Sequence, residues 1–186
     1  MPAVLIDYLA DEPISFADFE GQSRVDGDEE QAHITGVVIP AARQTAETRS
    51  GAAIRPGRYR ERLPGFPPTD FPLSIGQVTE IESVQWRASE GDFVTLSTNA
   101  YELLDEGRES RLAPAPGFSW PHAVAVLITY KAGTDLEKHP SVRQWLLLAA
   151  AWMFEHRELY GTQSIVEMPQ GYADGLLAPI TVLPRF

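Results

Sequence analysis

The sequence predicts an α+β fold in which a small helical bundle carries an inserted antiparallel β region. Apolar residues recur at helical spacing in two segments, one before residue 51 and one after residue 134. In the stretch between them, apolar and polar residues alternate in short runs that are separated by turn residues, which is typical of strands. With 186 residues, of which 44% are hydrophobic, the chain is long enough for one domain with a core. We predict a single domain over 1–186, with a helical core at about 15–51 and 134–160, a β insertion at about 52–131 and a C-terminal tail at 161–186.

A short first helix is predicted over residues 16–22. Ser15 is a good helix N-cap, and Asp18 follows three residues later. The second helix begins at the acidic run Asp26 to Glu30, and Arg43 and Arg49 place positive charge near its end. This order of charges complements the helix dipole and predicts a helix that stops at Ser50 and Gly51.

One face of the second helix is predicted to pack closely, because its apolar residues are small. This stripe comprises Ile34, Val37, Val38 and Ala41. Pro40 interrupts the pattern, since its ring collides with the carbonyl of residue 36 in a regular helix and it has no N–H to donate. We therefore predict a kink at Pro40.

The β region is predicted to contain several strands between turn signals. The candidate strands are Ile54 to Leu63, Val78 to Trp86, Phe93 to Leu96, Tyr101 to Leu104 and Ala123 to Tyr130. The last of them is apolar on both faces, which predicts a central position in the sheet. Ile81 and Val84 are three residues apart, which breaks strict alternation and predicts a β-bulge.

The last long helix is predicted to start at Pro140 and to be apolar all round. Its run from Trp145 to Phe154 has apolar residues on both faces. Such a helix must be buried on every side, either by the β region or in part by another subunit. The tail after Gly161 is rich in glycine and proline yet ends in apolar residues, so it packs either on the core or on a neighbour.

Composition excludes several classes of function. The chain has 26 acidic and 15 basic residues, a formal charge of -11, so phosphate backbones are repelled and tight binding of nucleic acid is unlikely to arise. There is no cysteine, which removes disulfides and thiolate metal sites. The N-terminus lacks the basic start of a secretory signal, and the Trp145 to Phe154 run is about half the length that spans a membrane. We expect a soluble cytosolic protein.

No catalytic, cofactor or metal motif is present in the sequence. The acidic run Asp26 to Glu30 superficially matches a calcium loop, but Gln31 stands where that loop needs glycine and Val37 where it needs glutamate. The histidines lack zinc-site spacing, no serine lies in a G-x-S-x-G elbow, and no glycine-rich phosphate loop occurs. We expect no catalytic residues, no metal and no cofactor.

A cluster of arginines is the most informative polar feature. In a strand, Arg58, Arg60 and Arg62 project from one face. One interpretation is a solvated strand face, or local pairing with Glu61 and the acidic surplus elsewhere. The alternative is a contact between these guanidinium groups and carboxylates of an adjacent subunit or partner.

Several segments, taken in order, resemble the head-tail connector, or adaptor, proteins of tailed bacteriophages and prophages. The resemblance covers about residues 15–177, and each motif alone is weak. The segments are Arg24-Val25-Asp26-Gly27-Asp28-Glu29-Glu30, Val78-Thr79-Glu80-Ile81-Glu82-Ser83-Val84, Arg111-Leu112-Ala113-Pro114, Trp120-Pro121, Val126-Leu127-Ile128-Thr129-Tyr130-Lys131-Ala132-Gly133, Leu146-Leu147-Leu148-Ala149-Ala150 and His156-Arg157-Glu158.

The resemblance implies a structural protein without enzymatic activity or cofactor. Members of that family form a ring of about twelve subunits beneath the portal protein. The ring extends the DNA channel and docks a stopper or tail-completion protein, and DNA passes through without sequence-specific binding. The implied location is the virion neck, with assembly in the host cytoplasm and no membrane. The interface candidates on this interpretation are Arg58, Arg60, Arg62, Trp145, Leu148, Trp152 and Phe186.

Two other classes of function stay open on the sequence. A non-phage protein-binding module would recruit its partner through a sheet edge or the apolar tail. A small hydrolase would need a cleft that gathers a histidine and a carboxylate from separated loops. A stopper or tail-completion role within the phage neck would share the ring but bind a different neighbour.

Overall fold

The computed structural model describes residues 3–23, 28–89, 91–105, 107–156 and 170–183. It confirms the predicted α+β class. The chain divides into two compact units. A β unit contains the described residues of Met1–Ala10, Gly51–Thr134 and Val182–Phe186, and a helical unit contains those of Asp11–Ser50 and Asp135–Thr181. The assignment of 1–186 to a single domain stays a prediction.

The β unit is built on a five-stranded antiparallel sheet. Its strand order is β1-β2-β8-β4-β5. These strands are β1 Val4–Tyr8, β2 Gly57–Leu63, β4 Val78–Arg87, β5 Val94–Thr95 and β8 Ala125–Ala132. The predicted central strand is confirmed, because β8 lies third in this order and hydrogen-bonds on both sides.

A smaller three-stranded sheet completes the β unit, in the order β3-β7-β6. Its strands are β3 Phe71–Pro72, β6 Tyr101–Asp105 and β7 Ser110–Pro114. Buried side chains from both sheets form one core cluster, which includes Leu112 of the small sheet and Val126 and Ile128 of the large one. Removing this apolar surface from water is what holds the two sheets together.

The predicted β-bulge is confirmed in β4. Its register against β8 shifts between Ile81 and Ser83, so that Ile81 and Val84 both pair on the core side although they are three residues apart. A second shift between Val78 and Glu80 follows the same rule. At each shift one extra residue is inserted in β4. The insertion turns the next apolar residue toward the core, where strict alternation would point it outward.

Three strands were not predicted from the sequence: β1, β3 and β7. Strand β1 is an edge strand whose residues Val4 and Ile6 are exposed, so it lacks the apolar and polar alternation of a half-buried strand. Strand β3 has only two residues. Strand β7 lies within a stretch that ends in turn residues, which hid its pairing with β6.

The helical unit consists of two long helices and several short ones. The helices are α1 Phe16–Ser23, α2 Gln31–His33, α3 Ile39–Ser50, α4 Pro140–Glu155 and α5 Gln170–Leu177, with a π-helical segment at Ile34–Val38. A 3-10 turn at Asp28–Glu30 precedes α2. Phe19 of α1 packs edge-on against Phe154 of α4, with ring centroids 5.4 Å apart. No helix in the described part of the chain is long and apolar enough to cross a membrane.

The interruption predicted at Pro40 takes the form of the π-helical segment. Ile39 donates its N–H to the carbonyl of Ile34, five residues back, so the turn before Pro40 is widened by one residue. This widening makes room for a residue that has no N–H and whose ring would strike the carbonyl of Gly36.

The π-helical segment also corrects the predicted packing stripe. Ile34 and Val38 are buried as predicted, but Val37 is 54% exposed. The widened turn shifts the buried face by about one residue relative to an α-helix. The core side of the broken helix therefore continues through Ile39 and Ala42 rather than through Val37.

Arg43 lies in the core of the helical unit, with only 2% of its side chain exposed. Its Nε donates to Glu12 Oε2 at 2.7 Å, and its Nη1 donates to Glu47 Oε2 at 2.6 Å. The sequence predicts Arg43 to be a charge near a helix end. The structure shows instead a buried guanidinium that joins the segment before α1 to α3.

The predicted apolar tail packs on the core as far as Ile180, whereas Leu183 is 62% exposed. Ala173 and Leu177 of α5 are buried, and so is Ile180 just after it. Thr181 Oγ1 donates to the carbonyl of Leu177, which closes the end of the helix. Phe186, the interface candidate in this tail, lies outside the described residues.

The predicted start of α1 is confirmed in atomic detail. Ser15 donates its backbone N–H to Asp18 Oδ2 at 2.9 Å, and Asp18 returns its N–H to Ser15 Oγ at 3.2 Å. Arg143 of α4 donates to Asp18 Oδ1 at 2.6 Å. The Ser15 N–H lowers the pKa of Asp18 most; burial opposes it, and the Ser15 hydroxyl and Arg143 lower it further.

We expect Asp18→Asn to lower the free energy of unfolding by about 1 kcal/mol at pH 7. Because the folded-state pKa of Asp18 is depressed, its stabilisation is present above the ordinary Asp pKa of about 3.9 and is lost as pH falls through the folded value. Denaturant unfolding of both proteins should therefore give a difference that is constant near neutral pH and shrinks as pH falls below about 4. The control is Asp174→Asn, whose carboxylate is exposed and 3.8 Å from Arg49. An equal, pH-independent loss in both variants would contradict the capping role.

Candidate interaction surfaces

Two groups of candidate residues lie on regular elements, one in each unit. Helix α4 of the helical unit carries Trp145, Leu148 and Trp152 at helical spacing. Strand β2 of the β unit carries the arginines. Each group is described by what it contacts and by how much of it is exposed.

The three candidates on α4 differ sharply in exposure. Trp145 is 3% exposed and packs in the core, where the Arg49 guanidinium lies 5.9 Å from the centre of its ring. Leu148 is half-buried, and Trp152 is 37% exposed and stacks on His156 at 4.8 Å. Trp145 thus offers a partner almost no surface, and Leu148 and Trp152 are the accessible members of the group.

Arg58 belongs to a network of ion pairs on the outer face of the five-stranded sheet. Its Nε donates to Glu82 Oε2 at 2.8 Å, and its Nη1 lies 3.1 Å from both carboxylate oxygens of Asp7. Lys131 Nζ donates to Glu80 at 2.9 Å and lies 3.6 Å from Glu82. The Glu82 hydrogen bond and then the Asp7 charge raise the pKa of Arg58, and Glu80 chiefly raises that of Lys131. Arg58 is therefore occupied within its own chain.

Arg60 and Arg62 share this face but stand outside the network. Both side chains are exposed, and neither has an ion pair or hydrogen bond to any residue that the structure describes. In the sheet register Arg60 lies between Val4 of β1 and Thr129 of β8, and Arg62 lies opposite Leu127. We call these two residues the arginine pair. It presents two guanidinium groups to solvent on a strand that is paired on both sides.

Of the local partners predicted for the arginines, Glu61 is wrong, whereas the pairing of Arg58 with other acids and the solvated positions of Arg60 and Arg62 agree with the first interpretation. Glu61 points to the opposite side of β2, where it is 3% exposed. Its carboxylate accepts from the backbone N–H and the hydroxyl of Ser74, at 2.9 and 2.5 Å, and from the Tyr130 hydroxyl at 3.2 Å. Burial, and then the charge of Glu61, raise the pKa of Tyr130 far above its usual range. Alternation along a strand forces adjacent residues to opposite faces, so Glu61 is unable to reach Arg60 or Arg62.

Sequence reasoning missed the partners of Arg58. Asp7 lies on an edge strand that was not predicted, and Glu82 lies at the register shift of β4. The alternating acids Glu80 and Glu82 beside the basic residue Lys131 were a usable signal, because cross-strand neighbours of opposite charge stabilise a sheet. The sequence does not show that their strand, β4, lies beside β8, so these ion pairs could be predicted only with the strand order in addition.

The described residues contain no cluster of three or more metal-ligating side chains. His156 Nδ1 lies 2.9 Å from the carbonyl oxygen of Trp152.

Comparison with solved structures finds the same fold over the whole chain. A neck structure of an empty gene transfer agent (GTA) particle, computed with C6 symmetry, contains a chain with a TM-score of 0.78 and 18% identity. The alignment covers 100% of this chain and 98% of that one. A chain of the virion of a native GTA particle gives a TM-score of 0.78 at 19% identity, again over 100% and 98% of the two chains.

A third similar chain comes from the neck of a native GTA particle computed with C12 symmetry. It has a TM-score of 0.73 and 17% identity, with 98% of each chain covered. No family model matches the chain, and no curated protein sequence matches it either. At these identities the likeness establishes the fold, and it does so across both units.

Proposed function

We propose that this chain is a structural protein of a phage-like neck, where it forms a ring as a head-tail connector, or adaptor. The observation that carries the proposal is the likeness of fold to chains of GTA neck and virion structures over the full length, with TM-scores of 0.73 to 0.78. Two of those necks were computed with C6 and C12 symmetry, which supports a ring with about twelve subunits.

In this role the protein works through its surfaces and performs no chemical step. The ring sits beneath the portal protein, extends the DNA channel and offers its other side to a stopper or tail-completion protein. A formal charge of -11 suits a channel wall, because a wall that repels phosphate lets DNA slide without sticking. The ring is part of the virion neck and assembles in the host cytoplasm.

The test of this proposal is the oligomeric state. Native mass spectrometry over a concentration series, with negative-stain electron microscopy of the same samples, should show closed rings of about twelve subunits. The series is run with the protein alone and with its cognate portal protein, because a portal ring can act as a template. Monomers or dimers at every concentration in both series would overturn the proposal and would favour a protein-binding module of fixed stoichiometry.

A further inference from the structure

Among the residues that the structure describes, no acidic side chain of this sheet face pairs with Arg60 or Arg62. The residues beside Arg60 and Arg62 in the neighbouring strands are Val4, Thr129 and Leu127, none of which is acidic. The carboxylates that do lie on this face are already bound. Asp7 and Glu82 pair with Arg58, while Glu80 and Glu82 pair with Lys131.

The strand that carries the arginine pair is held within the sheet. Strand β2 pairs with β8 from Gly57 to Leu63, and with β1 from Gly57 to Arg60. The two guanidinium groups lie two residues apart on one face, about 7 Å along the strand. Their backbone positions are thus fixed before any partner binds, which lowers the entropy that binding costs.

Carboxylates that are free to pair with guanidinium groups lie elsewhere on the protein. The chain has 26 acidic residues against 15 basic ones. Exposed carboxylates without an ion pair or hydrogen bond in the described part of the chain include Glu29, Asp92, Glu102 and Glu155. Each copy therefore presents free guanidinium groups in one place and free carboxylates in others.

We propose that Arg60 and Arg62 bind carboxylates of a second copy of this chain, at the subunit interface. Guanidinium groups bind carboxylates through two parallel hydrogen bonds, which fixes geometry as well as charge. A contact between two different patches of identical chains is head-to-tail, and repeated head-to-tail contacts generate a ring when the rotation closes. The inference rests on the proposed ring and names two of the residues that close it.

Duplex DNA is the less favoured ligand for the arginine pair. A duplex approaching this face meets a protein with a formal charge of -11, and the neighbouring network adds three carboxylates against two cations on the same face. Two exposed arginines neutralise two phosphates at most, which is few compared with the six to ten contacts of a tight DNA complex. A second copy, in contrast, brings an excess of carboxylates.

The experiment compares three single charge reversals in the full-length chain: Arg60→Glu, Arg62→Glu and the control Arg108→Glu. Arg108 is also exposed and without an ion pair in the described residues, but it lies in the turn before β7. Ring formation is measured by native mass spectrometry over a concentration series, and folding by thermal melting of each variant. The milder variants Arg60→Gln and Arg62→Gln are measured in parallel, so that a reversal that impairs folding does not decide the result.

Reversal of Arg60 or Arg62 should raise the protein concentration needed for half-assembly by about ten-fold or more, because the lesion recurs at every interface of a ring. The melting temperatures of the variants should match that of the wild type. Arg108→Glu should also assemble at the same protein concentration as the wild type. The salt dependence of assembly should also weaken in the two strand variants, since a screened attraction has been removed.

Four results would overturn the inference. Rings that persist unchanged in both the Arg60→Glu and the Arg62→Glu variants would exclude the contact while leaving the proposed ring intact. An equal loss in all three variants would assign the effect to overall charge. A wild-type protein that forms no ring, alone or with its portal, would overturn this inference and the proposed function together. Retention of a labelled duplex by the wild type that is lost in the strand variants would assign the arginine pair to DNA.

Discussion

Replacing Trp145 by alanine is expected to lower the free energy of unfolding by about 3 to 5 kcal/mol. Trp145 is 3% exposed and lies among the buried residues of α4, so the substitution removes a large apolar surface and leaves a cavity. Its indole N–H has no hydrogen-bond partner among the described residues, so the expected loss comes from packing and from the Arg49 contact. Chemical denaturation followed by circular dichroism measures the loss.

Trp152→Ala is the matched control for this prediction. It is the same substitution in the same helix, but Trp152 is 37% exposed and stacks on His156. We expect a loss of less than about 1 kcal/mol in the monomer. Impaired assembly of this variant with normal stability would place Trp152 at an interface. Similar losses in the two variants would contradict the assignment of Trp145 to the core and Trp152 to the surface.

The parts of the fold that follow from short-range rules were predictable from the sequence. Ser15 and Asp18 fixed the start of α1, and the three-residue step from Ile81 to Val84 revealed the bulge in β4. The doubly apolar pattern of β8 placed it within the sheet. Each of these signals lies within a few residues of the feature it predicts.

Features that depend on distant residues were not predictable in the same way. The π-helical segment replaced a simple kink, because the cost at Pro40 was relieved by widening the preceding turn, and this moved Val37 to the surface. Strand β1 forms by pairing with β2, about fifty residues along the chain, and its own pattern gives no such signal. Tertiary context decided both cases.

The candidate arginine surface shows the same division. The two-residue period of a strand correctly put Arg58, Arg60 and Arg62 on one face. The two-residue period does not show which of these arginines already forms ion pairs within the chain, because the partners Asp7 and Glu82 come from separate strands. Only the strand order distinguishes the bound arginine from the free pair.

The second large effect is expected at Arg43, the buried guanidinium of the helical unit. Arg43→Ala should lower the free energy of unfolding by about 3 to 5 kcal/mol, because it leaves Glu12 and Glu47 facing each other without the cation between them. Both carboxylates are largely buried, at 18% and 20% exposure, so water replaces the lost contacts only in part. Arg43→Lys should recover part of the loss, since an ammonium group keeps the charge but not the fork that reaches both acids.

Arg49→Ala provides the control on the same helix. Arg49 is 49% exposed and lies 3.8 Å from Asp174, so its removal should cost less than about 1 kcal/mol. The three variants are compared by urea unfolding at pH 7, with the m-value as a check that the unfolding remains two-state. A small loss for Arg43→Ala would mean that water or protons replace the cation beside Glu12 and Glu47. In that case the link between the segment before α1 and α3 would contribute to the specificity of the fold rather than to its stability, because a buried ion pair that is easily replaced adds little free energy.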